Sequence, residues 1–199
     1  MNIRPIKRFV PSKVVLHRSV RILSDSSGAQ LIEFALVLPM LLVLLVGISD
    51  FGFGFALKDK LTEAAREALR TAISQPNDLS STQCHGGPCS VQSAASVAVN
   101  YLSNAGVNVC GMNPSGAGPS ASGFVWTYTA SSGCPSAMTL KIERAVTFTS
   151  STNNVTGTRV TISYPYSWNI GHVIKLLLPS SGYAGTITLT SAELMSNLD

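Results

Sequence analysis

Charged side chains are scarce in this sequence. Asp, Glu, Lys and Arg make up 12% of its 199 residues, whereas about 25% is typical of a soluble domain. Hydrophobic residues make up 45%. This imbalance argues against an ordinary soluble domain and indicates a membrane segment. The length of the chain suits one domain, or one domain with an appended segment.

The sequence also has no basic excess after its first 28 residues. Six of the 14 Lys and Arg residues precede Gly28, and Asp25 is the only acidic residue in that stretch. From Ala29 onward eight basic residues face nine acidic ones, a net charge of −1. Because a nucleic-acid-binding domain carries its basic residues on a folded surface, we expect no nucleic-acid partner.

Catalytic arrangements are missing as well. The three histidines, His17, His85 and His172, are scattered along the chain. No Ser-His-Asp or Cys-His pattern and no phosphate-binding glycine loop accompanies them. The sequence therefore predicts a protein that is not an enzyme and that holds no cofactor and no metal.

Four cysteines lie after the apolar run described below: Cys84, Cys89, Cys110 and Cys134. An even number in one part of the chain is typical of disulfides in an oxidising compartment. Three pairings are possible, and the short glycine- and proline-containing loop between Cys84 and Cys89 favours 84–89 with 110–134. Zinc binding is the alternative, but C-x4-C with only His85 nearby is not a recognised zinc-ligand pattern.

One long apolar run is present, from Phe34 to Leu57, and Asp50 is its only charged residue. About 20 helical residues cross a hydrocarbon core of about 30 Å, so we predict a membrane-spanning helix over about 34–55. The basic residues before it should remain cytoplasmic. No small-residue cleavage site of the secretory type follows the run, so we expect the run to remain in the mature protein.

The helix is predicted to continue beyond the membrane. Residues 58–73 are strong helix formers whose apolar members recur at helical spacing, among them Leu61, Ala65 and Leu69. Gln75-Pro76-Asn77 should end the helix. The result is one helix over 29–75, with an apolar stripe on its outer half that must pack against other residues.

The remaining residues, 76–199, are predicted to form an extracytoplasmic α+β head. Ser90 could cap a short helix that reaches about Asn104, and residues 111–123 have the composition of a flexible loop. Four segments then alternate apolar and polar residues with a period of two, around 124–129, 140–148, 159–166 and 187–189. Asn153, Asn154 and Gly157 indicate a hairpin connection. We expect one antiparallel sheet that is covered by helices on one side.

The start of the apolar run carries a known pattern. Gly28-Ala29-Gln30-Leu31-Ile32-Glu33-Phe34, followed by Ala35-Leu36-Val37-Leu38-Pro39, resembles the processing site of TadE-like pseudopilins of tight-adherence (Flp-type) pilus systems. The tail Val160–Tyr166 also resembles that family. The resemblance implies that a prepilin peptidase cuts between Gly28 and Ala29, on the cytoplasmic side. Residues 1–28 would then be a leader peptide, and the long helix with its head would follow the pilin plan.

The resemblance also implies roles for residues after the cut. Glu33, Phe34 and Pro39 would serve recognition and assembly, and Glu33 would pair with the new amine of Ala29, within one chain or between subunits. The alternative is that Glu33 lies at the lipid headgroups and complements the positive end of the helix. Pro39 removes a backbone donor and is expected to kink the helix, unless the membrane helix tolerates it.

The functional prediction is a minor pseudopilin, anchored in the bacterial inner membrane by a single span with its head outside. Its expected partners are the prepilin peptidase, the inner-membrane platform of the pilus or secretion machine, other pilin-like subunits and the lipid bilayer. Two alternatives remain. One is an uncleaved anchored envelope protein whose head binds a ligand or partner, and the other is a pseudopilin of a related secretion machine.

Overall fold

The structure is a computed structural model that describes residues 26–75, 78–150, 153–177 and 185–197. The predicted leader therefore lies outside the described residues, except for its last three positions, and so do Pro76 and Asn77 at the predicted helix end. The helices are α1 (Ser26–Ser74), α2 (Cys89–Asn104) and α3 (Ile170–Leu177). The strands are β1 (Ser120–Ser122), β2 (Val125–Ala130), β3 (Met138–Ser150), β4 (Asn153–Ser167) and β5 (Thr186–Ser196).

The chain divides into two compact units, 1–42 and 43–199. In the first unit the described residues form the beginning of α1, and large apolar side chains such as Leu36 and Met40 are exposed there. By length and composition, the part of α1 over Gly28–Ser74 is apolar enough to cross a membrane. It is the only such helix among the described residues. The predicted single-span helix is consistent with this finding.

The second unit contains a five-stranded sheet in the order β1-β2-β3-β4-β5, and each pair of neighbours is antiparallel. Its core combines three sets of buried side chains. They are Leu61, Ala64, Ala65, Ala68, Leu69 and Ala72 of α1; Val91, Ala94, Ala95, Ala98 and Leu102 of α2; and Trp126, Tyr128, Leu140, Ile142, Val160 and Ile162 of the sheet. The predicted α+β fold, with an antiparallel sheet covered by helix, is confirmed.

The apolar side chains of β3 lie on two different faces of the sheet, whereas the sequence pattern predicted that they share one face. The pairing of β3 with β4 shifts between Glu143 and Val146, and Ala145 has a φ of 58°. Such a bulge adds one residue, and a shift of one residue moves the following side chains to the other face of a sheet. Val146 and Phe148 are therefore half-buried outside the core, and the prediction that they share a face with Ile142 is wrong.

Two local predictions in the head are also corrected. Ser120–Ser122, placed in a loop from its small polar residues, forms the edge strand β1, because its backbone pairs with β2. Asn153, Asn154 and Gly157 lie inside β4 and pair with β3. The residues between β3 and β4, 151–152, lie outside the described residues.

Candidate processing segment and helix–head junction

The predicted cleavage bond, between Gly28 and Ala29, lies in the first turn of α1. The helix begins at Ser26, although the serines and the glycine at positions 26–28 are residue types typical of a turn. Serine and glycine are both accepted at a helix start. A peptidase that needs extended chain would have to unwind this turn.

The other predicted assembly residues follow on the same helix. Glu33 is exposed and makes no hydrogen bond or ion pair with the residues that the structure describes. It lies four positions after Ala29, a spacing that places two residues on one face of a helix. Phe34 is exposed, and Pro39 lies inside α1, which continues without interruption. Ala29 and Glu33 thus share one face of α1 before any cleavage.

A second cluster, which we call the junction, lies in the second unit and was not predicted from the sequence. Its centre is Asp50 of α1, whose side chain is only 2% exposed. The Oδ1 atom of Asp50 accepts hydrogen bonds from the Tyr166 hydroxyl at 2.9 Å and the Asn169 amide at 3.2 Å. Its Oδ2 atom accepts the backbone N–H of Ile170 at 2.9 Å. Both carboxylate oxygens are therefore satisfied by the head.

The contact with Ile170 makes Asp50 the N-terminal cap of α3. Ile170 is the first residue of that helix, and a carboxylate both accepts a free N–H and complements the positive helix end. Helices as short as eight residues are marginal without tertiary support. Burial raises the pKa of Tyr166 to about 12, and its hydrogen bond to Asp50 adds to this. The hydroxyl consequently remains a donor at neutral pH.

Aromatic rings complete the junction. Trp168 packs edge-on against Phe51 and Tyr166, with ring centroids 5.0 and 5.1 Å apart, a favourable arrangement for aromatic pairs. One glycine of α1 allows the head to approach closely. A Cβ atom on Gly47 would lie only 3.3 Å from the Ile170 side chain, whereas one on Gly54 would make an ordinary contact at 3.7 Å from Trp168. Gly47 thus serves close packing within the chain.

A second carboxylate supports α2. Asp78 accepts hydrogen bonds from the Ser90 backbone N–H, at 3.1 Å, and from the Ser90 hydroxyl. Ser90 was predicted to be the cap, but it lies in the first turn of α2 after Pro88. Its own N–H therefore needs an acceptor, which Asp78 supplies.

A buried arginine also contacts Ser90. Arg144, at the bulge of β3, is 5% exposed and donates from Nη1 to the Ser90 hydroxyl at 3.0 Å. Burial lowers the pKa of Arg144, and the nearby Asp78 opposes that effect. Burial raises the pKa of Asp78, but hydrogen bonds from the Ser90 hydroxyl and from the backbone N–H groups of Ser90, Asp78 and Cys89 together bring that pKa below its usual value. The three residues connect α2 to the sheet.

The cysteines form two disulfides, Cys84–Cys89 and Cys110–Cys134. No cysteine is free, so no thiolate remains for the alternative of a zinc site. Among the described residues, no group of three or more His, Cys, Asp or Glu side chains is placed to hold a metal ion.

Comparisons with known proteins give one match. No curated protein matches the chain, and no solved structure matches it. The tail Val160–Tyr166 lies outside the matched segment. Residues 28–70, which begin at the predicted cleavage residue Gly28 and extend into the outer half of α1, match the family model described as TadE-like protein, and this confirms the resemblance over that segment.

Proposed function

We propose that this chain is a TadE-like pseudopilin that acts in the assembly of Flp-type (tight-adherence) pili or a related secretion machine. The observation that carries the proposal is the match to the TadE-like family model over 28–70. The match begins at Gly28, after which the predicted peptidase would cut. The protein then acts by assembling with others, and not by catalysis.

Processing and anchoring follow from the same segment. A prepilin peptidase removes residues 1–28 on the cytoplasmic side, and the apolar part of α1 keeps the chain in the inner membrane. The exposed apolar side chains of α1 support this, because the transfer of apolar surface from water into the hydrocarbon core of a bilayer is favourable. The head then lies outside, where its two disulfides are stable.

Glu33 positions the processed chain among its partners. Cleavage gives Ala29 a free amine one helical turn before Glu33, on the same face of α1. The carboxylate of Glu33 makes no hydrogen bond or ion pair with the described residues of its own chain, so it is free to bind that amine, within the chain or on a neighbouring pilin-like subunit. Charge pairing between subunits sets their register along the helix axis, because an unpaired charge near lipid is costly.

The experiment compares strains in which the chromosomal copy is replaced by Glu33→Ala or by the control Glu63→Ala. Glu63 is exposed in the outer half of α1, where it pairs with Arg66, and an exposed pair of this kind contributes little. We expect both variants to be cleaved, but only Glu33→Ala to reduce the number of surface pili. Normal piliation in the cleaved Glu33→Ala strain would reject the role of Glu33, and normal piliation in a deletion strain would reject the assembly function.

A further inference from the structure

The junction brings part of the head to the level of the predicted membrane span. That span, about 34–55, includes Asp50 and Phe51. Asp50 contacts Tyr166, Asn169 and Ile170, and Phe51 contacts Trp168. Residues 166–170 of the head therefore lie beside the last turns of the span.

The segment after this contact is strongly apolar. The sequence of α3 is IGHVIKLL, in which five of eight residues are large and aliphatic, and Lys175 is the only fully charged residue. The surface of α1 around the junction is apolar too, since Ile48, Phe51 and Phe53 are each more than half exposed. An exposed apolar surface of this kind, continuous with a span, favours lipid as its neighbour.

Asp50 is the one acidic residue in the predicted span after Glu33's turn of the helix, and the head supplies its hydrogen-bond donors. A carboxylate in a low-dielectric region is costly unless it is hydrogen-bonded, and Asp50 accepts three side-chain or backbone donors while only 2% exposed. The neighbouring Tyr166 and Trp168 belong to the residue types that concentrate at membrane interfaces. The junction therefore combines a buried, fully hydrogen-bonded carboxyl group with an interfacial aromatic pair.

An apolar groove lies beside the junction. It has a volume of about 400 Å³ and its lining includes Phe51, Phe55, Trp168 and Leu189. Lys58 also lines it, and its ammonium group donates to the Thr190 carbonyl. An acyl chain would fit the aromatic wall, and Lys58 would lie near the phosphate layer.

From these contacts we infer that the base of the head, residues 166–177, is immersed in the outer leaflet and forms a second contact with lipid, in addition to the span. This inference rests on the membrane-spanning role of α1 in the proposed function. The occupant of the apolar surface is phospholipid, and neither a second copy of the chain nor another subunit is needed to cover it.

The two tryptophans supply a matched test. Trp168 lies in the junction, whereas Trp126 is buried in the sheet core at 3% exposure. The full chain is reconstituted into phospholipid vesicles that carry bromine near the headgroup end or the tail end of the acyl chains. We expect Trp126→Phe, which retains Trp168, to lose most of its emission with the shallow bromines. Trp168→Phe, which retains Trp126, should lose almost none.

A third variant reports on α3 itself. Lys175, which is exposed, is replaced by Trp in a chain without the two native tryptophans, and this tryptophan should also be quenched. If Trp126→Phe folds poorly, the quenching of Trp168 is obtained instead as the difference in quenched emission between the wild type and Trp168→Phe. Unquenched Trp168 in a protein that floats with the vesicles would overturn the inference alone. A protein that does not float with vesicles would overturn both the inference and the anchor.

Discussion

The carboxylate of Asp50 accepts the backbone N–H of Ile170 at 2.9 Å, although 120 positions separate the two residues in the chain. Through this bond the long helix α1 caps the short helix α3. The same carboxylate also binds Tyr166 and Asn169. The only charge within the apolar run is thus a structural residue that attaches the head to the helix.

Replacement of Asp50 by Ala should destabilise the protein markedly. The change leaves three donors without their acceptor, and the loss of a charged hydrogen-bond partner in a buried site costs about 2 to 4 kcal/mol. For a chain of this size we expect the melting temperature to fall by about 5 to 15 °C. The measurement is thermal unfolding of the full chain in detergent, followed by tryptophan emission.

Two further variants control that experiment. Asp50→Asn keeps an oxygen that can accept the Ile170 N–H, so it should lose less stability than Asp50→Ala. Asp59→Ala removes an exposed carboxylate that has no partner among the described residues, and its melting temperature should remain near that of the wild type. Equal melting temperatures for Asp50→Ala and Asp59→Ala would contradict the role of Asp50.

The Asp78 carboxylate should make stability depend on acid pH. Its pKa in the folded chain lies below the usual 3.8, so the unfolded chain binds more protons and stability rises with pH in that region. The contribution is complete above pH about 4 and is lost as the pH falls through the lower folded value. The measurement is the difference in melting temperature between the wild type and Asp78→Asn, followed from pH 7 to about pH 2.

The expected result is a difference that is constant at neutral pH and shrinks in acid. Asp59→Asn is the matched control, because Asp59 has no partner among the described residues, and its profile should follow the wild type throughout. A difference between the wild type and Asp78→Asn that stays constant down to the lowest pH would show that the charge of Asp78 does not contribute.

The two disulfides should differ in their contribution to stability. Chain entropy assigns about 3.5 kcal/mol to a loop of the size that Cys110–Cys134 closes and about 2 kcal/mol to the shorter Cys84–Cys89 loop. The double variant Cys110→Ala/Cys134→Ala should therefore melt at a lower temperature than Cys84→Ala/Cys89→Ala. Peptide masses from a non-reducing digest establish the pairing, and any cross-linked 84–110 or 89–134 peptide would contradict it.

Local sequence patterns predicted most of the elements. The apolar run and the amphipathic residues after it predicted 29–75 as helix, against Ser26–Ser74 observed. The α2 stripe was equally clear, since Val91, Ala94 and Ala98 repeat at helical spacing and are all buried. Such patterns are visible because a helix or strand that is buried on one side carries apolar residues at the repeat of that element, about 3.6 residues in a helix and 2 in a strand.

The junction could not be predicted because its contacts are long-range. Nothing near Asp50 in the sequence points to Tyr166 or Ile170, and a lone acid in an apolar run gives no partner. Asp78, Ser90 and Arg144 meet for a similar reason only in the folded chain. The bulge in β3 was hidden as well, because Val146 and Phe148 continue the alternation of Leu140 and Ile142 in the sequence although the register shifts before them.

The measurement that tests the account most directly is the intact mass and N-terminal sequence of the protein from membranes of cells that contain the cognate prepilin peptidase. The account predicts a chain that begins at Ala29, and a chain of full length when Gly28 is replaced by Ala. A protein that still begins at Met1 beside an active peptidase would contradict it. The chain would then be an uncleaved membrane anchor, and the proposed assembly function would lose its basis.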